Sequence, residues 1–340
     1  MKANSATDLS VSMVTAGISL VCSAFPGTKE MVLSIIGSQF NMELSTGVDY
    51  VAIVCGALLI VVGIYYRQNI KDRIFVLNML GLFAQHEISD TKNVSDLKLE
   101  DFKVKEVIVD FVDIFDIKMT EKINDIIVRK IEKQCTAFVN RSKDFKSCFT
   151  GMAPIPYTIL AGTYLGSGNV RRYFEYKRAE NKFYELKTGK KRKTYDALDT
   201  QYPSALDNNA TDVVVALSIT RKVNSGDLIQ FAGMDVVRID LPNPDDNIIT
   251  TMKQLDKYAM YVLNQIEDLK QKYPYLQKVH FVASIPSCVS LELGKLFAHN
   301  NNRLPQIISY HYVHTETPKY SFGIVITDKT SSNRGKLVKG

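Results

Sequence analysis

FTGMAPIPYTILAGTYL, residues 149–165, decides how the rest of the chain is read. An apolar entry runs into Gly151, Pro154 and Pro156 bracket Ile155, and a helix of small residues follows. Taken alone, the stretch is either a strand–loop–helix elbow that cradles a ligand or a plain turn. A second stretch, FVASIPSCVSLELGKLF at 281–297, bears on the choice. Slid by 132 positions, Phe149 falls on Phe281, Pro154 on Pro286 and Gly162 on Gly294, while Ile159 meets Leu291 and Leu165 meets Phe297. The pattern F-x4-P-x7-G occurs twice, each time at an expected strand-to-helix elbow. That points to a duplicated βα half.

Such elbows have a specific chemistry. Open α/β sheets bind ligands outside the carboxyl ends of their strands. The helix that follows begins with unsatisfied N–H groups and a positive dipole end, which suits phosphate. Pro156 and Pro286 stand near helix starts, where proline is pre-organised and no hydrogen bond is lost. Two elbows related by pseudo-symmetry face one crevice, with Pro154, Ile155, Pro156 and Tyr157 on one wall and Ser284, Ile285, Pro286 and Ser287 on the other. Ser287 and Ser290 can cap or donate to a ligand. The plainer reading is that the prolines and serines only end strands and cap helices.

Outward from the elbows the pattern alternates. VVVALSI (213–219), VVRID (236–240), KVHFVAS (278–284), IISYHYV (307–313) and YSFGIVIT (320–327) read as strands, and 287–299 as a helix. Between them, 247–272 carries Ile248, Met252, Leu255, Ala259, Val262, Ile266 and Leu269 on one helical face. Strand–helix alternation argues for an α/β fold with a largely parallel sheet. Residues 120–140 read as a helix capped by Thr120, with Ile123, Ile127, Ile131, Cys135 and Phe138 at helical spacing.

The amino-terminal region differs. Residues 9–25 and 50–66 carry no charge, and each approaches the roughly 20 residues that span hydrocarbon. Tyr65 and Tyr66 sit where an interfacial belt would lie, and Arg67, Lys71 and Arg73 follow at once. The expectation is two spans, with everything after Arg67 in the cytoplasm. A signal peptide for the first segment and a buried core helix for the second are the alternatives. Ala16, Gly17, Ser19, Gly56 and Ala57 would let the two helices approach closely.

Between the elbows, NVRRYFEYKRAENKFYELKTGKKRK (169–193) carries ten Lys/Arg against three Glu from Arg171 to Lys193, with Tyr173, Phe174, Tyr176, Phe183 and Tyr184 interleaved. Alternation about the RAEN turn reads as a β-hairpin. Arg171, Lys177 and Arg178 supply charge for phosphate, and Phe174 and Tyr176 supply faces for bases. The alternative is a solvated hairpin, half buried through its aromatics. Elsewhere the net charge of +6 names no partner. Five cysteines without a CxxC support neither a disulfide framework nor a zinc knuckle.

With these residues in view, the chain resembles the SAVED family, the sensor domains of cyclic-oligonucleotide antiphage (CBASS) systems. The resemblance covers about 146–327. It rests on G-M-A-P-I-P-Y (151–157) with its small-residue helix, F-E-Y-K-R (174–178), the strand ending S-I-T (218–220), and A-S-I-P-S with E-L-G-K-L (283–296). It implies two fused CARF-like Rossmann-type halves, preceded here by a two-helix transmembrane hairpin. It also implies a membrane-anchored receptor for a cyclic tri- or tetranucleotide made by a cognate nucleotidyltransferase. Ligand binding would drive homo-oligomerisation and disruption of the inner-membrane lipid in abortive infection, with no DNA or RNA partner. Ser218, Thr220 and Arg221 would join the ligand-binding residues. The implied layout is a hairpin over 1–70, a mostly helical connector over 71–145, the sensor over 146–328 and a disordered tail over 329–340. The family often places Trp after the K-R segment. This chain has none, and Phe183 and Tyr184 stand nearby instead.

An enzyme would need catalytic groups. No HExxH, GxSxG, P-loop or paired metal-ligand carboxylates occur, so the expectation is a binding protein without cofactor or metal. His311 and His314 are three apart within an expected strand, which puts them on opposite faces. Two alternatives stand beside the receptor: a membrane-anchored interaction module without nucleotide ligand, and a slow cyclic-oligonucleotide-cleaving CARF-like enzyme using Ser218, Thr220 and Arg221.

Overall fold

The computed structural model of the chain describes residues 6–23, 50–71, 73–81, 87–111, 118–166, 169–189, 195–329 and 332–340. Two compact units result, Met1–Arg73 and Ile74–Gly340. In the first, α1 (Ala6–Ser23) packs along α2 (Tyr50–Lys71). The contact is close because glycine faces glycine. A Cβ on Gly17 would lie 2.6 Å from the Gly56 carbonyl oxygen, and one on Gly56 would lie 2.7 Å from that of Gly17.

The expected membrane hairpin, and with it the two-pass inner-membrane location with a cytoplasmic sensor, does not hold. Among the described residues no helix is long and apolar enough to cross a membrane. α1 has 18 residues, about 27 Å at 1.5 Å per residue, against a hydrocarbon core of about 30 Å. The uncharged run within α2 ends at Tyr66, before Arg67 and Gln68.

The second unit holds two sheets. β1 (Arg73–Leu80), β2 (Lys103–Asp110), β3 (Lys146–Gly151), β4 (Arg172–Lys177) and β5 (Lys182–Glu185) form the first, in the order β2-β1-β3-β4-β5. β3 is parallel to β1 and β4, and the β4–β5 hairpin turns on a 3₁₀ turn at Arg178–Glu180 with Asn181 left-handed. The region read as a mostly helical connector thus supplies β1 and β2, together with α3 (Thr91–Asp96) and α4 (Glu121–Ser142). The α4 stripe behaves as its spacing requires. Thr120 caps it, its hydroxyl accepting from Ile123 N at 3.3 Å, and Ile127, Ile131, Cys135 and Phe138 are buried.

The second sheet contains β6 (Asp199–Gln201), β7 (Asp212–Ser218), β8 (Asp235–Asp240), β9 (Lys278–Ser284), β10 (Gln306–His311), β11 (Phe322–Thr327) and β12 (Leu337–Lys339), in the order β12-β11-β10-β9-β7-β8-β6. Its centre is parallel, and its two margins are antiparallel. β12 pairs with β11, so the tail expected to be disordered carries a strand. Lys190–Lys193 lie outside the described residues. The amphipathic helix starts five residues later than expected. It is α6 (Met252–Lys272), capped by Thr251, because Asn247 has φ 65° and interrupts a right-handed start.

Each sheet sends one helix from a central strand to the seam between the halves. α5 (Ile155–Leu165) follows β3, and α7 (Ser287–His299) follows β9. The two pack on each other, and the repeated glycines are the point of contact. A Cβ on Gly162 would sit 2.3 Å from the Leu291 carbonyl oxygen, and one on Gly294 would sit 1.9 Å from that of Ile159. Those pairs exchange under the 132-residue shift, as a local two-fold axis demands. Only glycine permits such an approach of two backbones. Ile159, Leu160, Leu291 and Leu293 are fully buried around it and belong to the main core cluster.

Candidate functional site

The equivalence of the elbows extends to their hydrogen bonds. Pro154 is the N-cap of α5 and Pro286 that of α7. Pro156 follows at the second position of α5, buried and outside the cleft wall. In each first turn a hydroxyl four residues on donates back to the proline carbonyl: Thr158 to Pro154 at 3.2 Å, Ser290 to Pro286 at 3.1 Å. Both hydroxyls are thereby occupied by backbone; Ser290 is fully buried and borders the cleft with its hydroxyl already engaged.

Both elbows open on one cleft of ≈ 1990 Å³ within the second unit. Drug-sized pockets run about 300–1,000 Å³, so this space suits a ligand of several units. Pro154, Ile155 and Tyr157 line it on the α5 side, and Ser284, Ile285, Pro286 and Ser287 on the α7 side. Tyr176, Lys177 and Arg178 reach it from the end of β4, and Thr220 and Arg221 from the end of β7. Besides Pro156, three expected residues lie elsewhere. Phe174 is fully buried in a separate core cluster, Ser218 is buried and accepts from Val223 N at 3.1 Å, and Arg171 is exposed at the start of β4. Phe174 faces away from Tyr173 and Glu175 and packs with Ile74, Val76, Cys148 and Phe183.

The in-register pairing of β7 with β9 puts Ser218 opposite Ser284. Just beyond, Thr220 Oγ1 and Ser284 Oγ lie 2.8 Å apart, and the Ser284 carbonyl accepts from both Ile219 N and Thr220 N at 2.9 Å. Hydroxyls and cations thus gather where the strands end. Lys118 and Lys222 join Lys177, Arg178 and Arg221 on the lining, against Glu175, Asp227, Asp245, Asp246 and Glu316. Arg221 and Asp246 approach to 3.6 Å but are well exposed, so this pair is worth at most about 1 kcal/mol. Lys177 bonds Glu180 across the hairpin turn.

Glu175 holds the α7 elbow. Its Oε1 accepts from the Cys288 N–H at 2.6 Å and from the Ser287 hydroxyl at 3.0 Å. The first turn expected to await a phosphate is therefore already met by a carboxylate. Burial raises the Glu175 pKa, and the bonds from Cys288 and Ser287 offset part of that rise. Two residues back on the same face, Tyr173 donates to Glu292 Oε2 at 2.5 Å beside Lys295, which ties β4 along the length of α7.

Sequence reasoning missed one whole side of the cleft. The connection from His311 to Phe322 lines it almost without interruption. His311 ends β10 and His314 lies past it, so the strand rule that separated them does not apply, and both line the cleft. Burial pushes the His311 pKa down to about 4, which keeps the ring neutral against Phe322. Tyr312 is 40 % exposed and meets Tyr320 edge-on at 5.4 Å. Tyr320 is itself fixed by two bonds to the Gln230 amide. A signal was present in the sequence, in the spacing of Tyr310, Tyr312 and Tyr320. On the α5 side, Tyr157 stacks on Phe111 at 5.6 Å and donates to Asn124 Oδ1 at 3.0 Å. Among the described residues no group of His, Cys, Asp and Glu is placed to hold a metal ion.

A family model described as SMODS-associated and fused to various effectors sensor domain, SAVED, matches residues 119–326. No curated protein sequence matches. Among solved structures, the chain is similar to the Acinetobacter baumannii Cap4 SAVED/CARF-domain containing receptor with the cyclic trinucleotide 2'3'3'-cAAA, at 13% identity and TM-score 0.50, over 88% of this chain and 65% of that one. The same receptor with 3'3'3'-cAAA matches at 14% identity and TM-score 0.50, over 88% and 66%. At such identity the likeness is one of fold. This chain spans less than two thirds of the length of either receptor.

Proposed function

Because the chain belongs to the SAVED family, we propose that it is a receptor for a cyclic tri- or tetranucleotide, bound in the cleft between the two elbows. The observation that carries the reading is the convergence itself. Two pseudo-equivalent elbows, the cationic end of β4 and the hydroxyl-bearing end of β7 line one cavity of ≈ 1990 Å³. A ligand built of repeated units suits a pseudo-two-fold site. Its phosphates match Lys177, Arg178, Arg221 and Lys222, and its bases match the faces of Tyr176 and Tyr312. The structural relatives are receptors holding a cyclic trinucleotide, which favours this ligand class. The supplying reaction is nucleotidyl transfer that closes a ring. A ring has two faces and one cleft covers one of them, so we extend the proposal to ligand-driven homo-oligomerisation.

The test is calorimetric titration of the full chain with cyclic di-, tri- and tetranucleotides, with molecular mass followed by light scattering. Binding of a tri- or tetranucleotide with a rise in mass is expected. Charge-assisted contacts are worth about 1.5–3 kcal/mol each, so Arg178→Glu with Arg221→Glu weakens binding by at least 100-fold. No binding by any ring overturns the receptor. Full binding by the double variant overturns this placement of the phosphates.

A further inference from the structure

Glu175 is a carboxylate set against the first turn of α7, where helix N–H groups would otherwise suit an anion. It is 8 % exposed, yet it lines the cleft. Both strong donors that reach it, Ser287 Oγ and Cys288 N, converge on Oε1. What remains against the carboxylate on α7 is the Cys288 thiol, a weak donor, while a carboxylate offers about four acceptor sites. Tyr184 of β5 is also near, and it donates to the Ile249 carbonyl at 3.0 Å. The carboxylate therefore keeps accepting capacity at the cavity wall.

A phosphate on the first turn of α7 would seek the Ser287 hydroxyl and Cys288 N–H that Glu175 already holds, and two like charges would then lie about 4 Å apart. Repulsion there is about 4 kcal/mol at an effective dielectric constant of 20, against about 0.3–1 kcal/mol from the helix dipole. Repulsion wins, so the phosphates belong at the β4 and β7 ends. What fits beside Glu175 is an N–H donor. We infer that Glu175 is a specificity-determining residue of the cleft, accepting an N–H from the exocyclic amino group of a ligand base, so that the α7 elbow reads a base edge and not a phosphate. This rests on the receptor reading above.

The experiment compares two rings that differ by one group: cyclic tri-adenylate and the same ring with purine, lacking the amine, in place of adenine. Each is titrated into the full-length wild type and into Glu175→Gln, which keeps an amide oxygen for Ser287 and Cys288. Loss of the amine should weaken the wild type about 10- to 100-fold, as a hydrogen bond to a charged group implies. It should weaken Glu175→Gln by less than about threefold. Melting temperatures of the two proteins without ligand separate a folding defect from a lost contact. An equal amine penalty in both proteins, or none in the wild type, overturns the inference. Tighter binding of cyclic tri-adenylate by Glu175→Gln also overturns it, by placing a phosphate at α7. A wild type that binds no cyclic oligonucleotide overturns the receptor reading instead, before the variant is compared.

Discussion

The elbow before α5 and the elbow before α7 are built alike and furnished differently. Both begin on an N-cap proline, both return a hydroxyl to that proline's carbonyl, and both place a glycine eight residues on at the helix crossing. At α7, however, the first turn is met by the Glu175 carboxylate. At α5 it faces aromatic rings: Tyr157 within it, stacked on Phe111, with Phe322 and His311 beyond. The shared part is what two backbones need in order to pack, and the unshared part is what a ligand would meet. In this molecule the repeat records architecture, and departures from it mark chemistry.

The shared part breaks at the glycines, with the largest effect expected. In Gly294→Ala the new Cβ falls 1.9 Å from the Ile159 carbonyl oxygen, and in Gly162→Ala 2.3 Å from that of Leu291. Backbone must move in either case, and overpacking of this kind costs about 3 kcal/mol. Chemical denaturation of the full chain should show a similar loss for both variants. Gly189→Ala, with nothing within 4 Å, should change stability by less than about 0.5 kcal/mol. A marked inequality between the two helix variants would mean that the seam is not two-fold.

The unshared part can be separated by pH. The His311 pKa is lowered to about 4 from 6.5. Between those values the unfolded chain binds more protons, so stability rises with pH, by about 2 kcal/mol from pH 5 to pH 7.5. The Glu175 pKa is raised above 4.5. There the folded chain binds more protons, so stability falls as pH climbs through the raised value. His311→Gln should therefore remove a rise and Glu175→Gln a fall, in melting temperatures taken from pH 4.5 to 7.5. Profiles displaced in the same direction would remove the distinction between the elbows.

Much of this was legible beforehand, and the reason is periodicity. The strand Lys278–Ser284 and helix Ser287–His299 lie where their patterns put them, because one face of each is buried and a turn signal bounds it. The repeat was visible because packing two backbones constrains glycine and proline at fixed offsets. Other features left no such trace. Glu175 reads as one more charge in a basic hairpin, and its burial depends on α7, more than a hundred residues away. β1 and β2 follow an apolar helix and a polar stretch that blur their alternation. β12 is only three residues long, Leu-Val-Lys, and β11 alone makes it a strand. The uncharged stretches do not coincide with a spanning helix: α1 ends at Ser23, and α2 runs on through Arg67 to Lys71. Tyr312 lies past the end of its strand, where alternation no longer says which way a side chain points. In Tyr312→Ala the cleft loses an aromatic face worth about 1–3 kcal/mol to a stacked base. Binding of a cyclic trinucleotide should fall at least tenfold, with melting temperature unchanged. Unchanged affinity would take the aromatic loop out of the site.

The smallest expected effect tests where the difference between the elbows begins. The position of Tyr157 corresponds under the repeat to Val289, which has no polar atom to place. The Tyr157 hydroxyl donates to Asn124 Oδ1, and Asn124 Nδ2 in turn donates to the Gly335 carbonyl at 2.8 Å, so this elbow is tied through α4 to the segment that leads into β12. Asn124 is fully buried, and in Tyr157→Phe its carbonyl oxygen loses that donor. An unsatisfied buried acceptor costs about 1 kcal/mol or somewhat more. The ring, its stacking on Phe111 and its place in the cleft wall are retained. Denaturation midpoints should therefore drop modestly while affinity for a cyclic oligonucleotide is preserved. Amide exchange should quicken around Gly335 and β12 and not around α7. If exchange quickened equally at both elbows, the Tyr157–Asn124 tie would belong to the shared seam. The asymmetry would then rest on Glu175 alone.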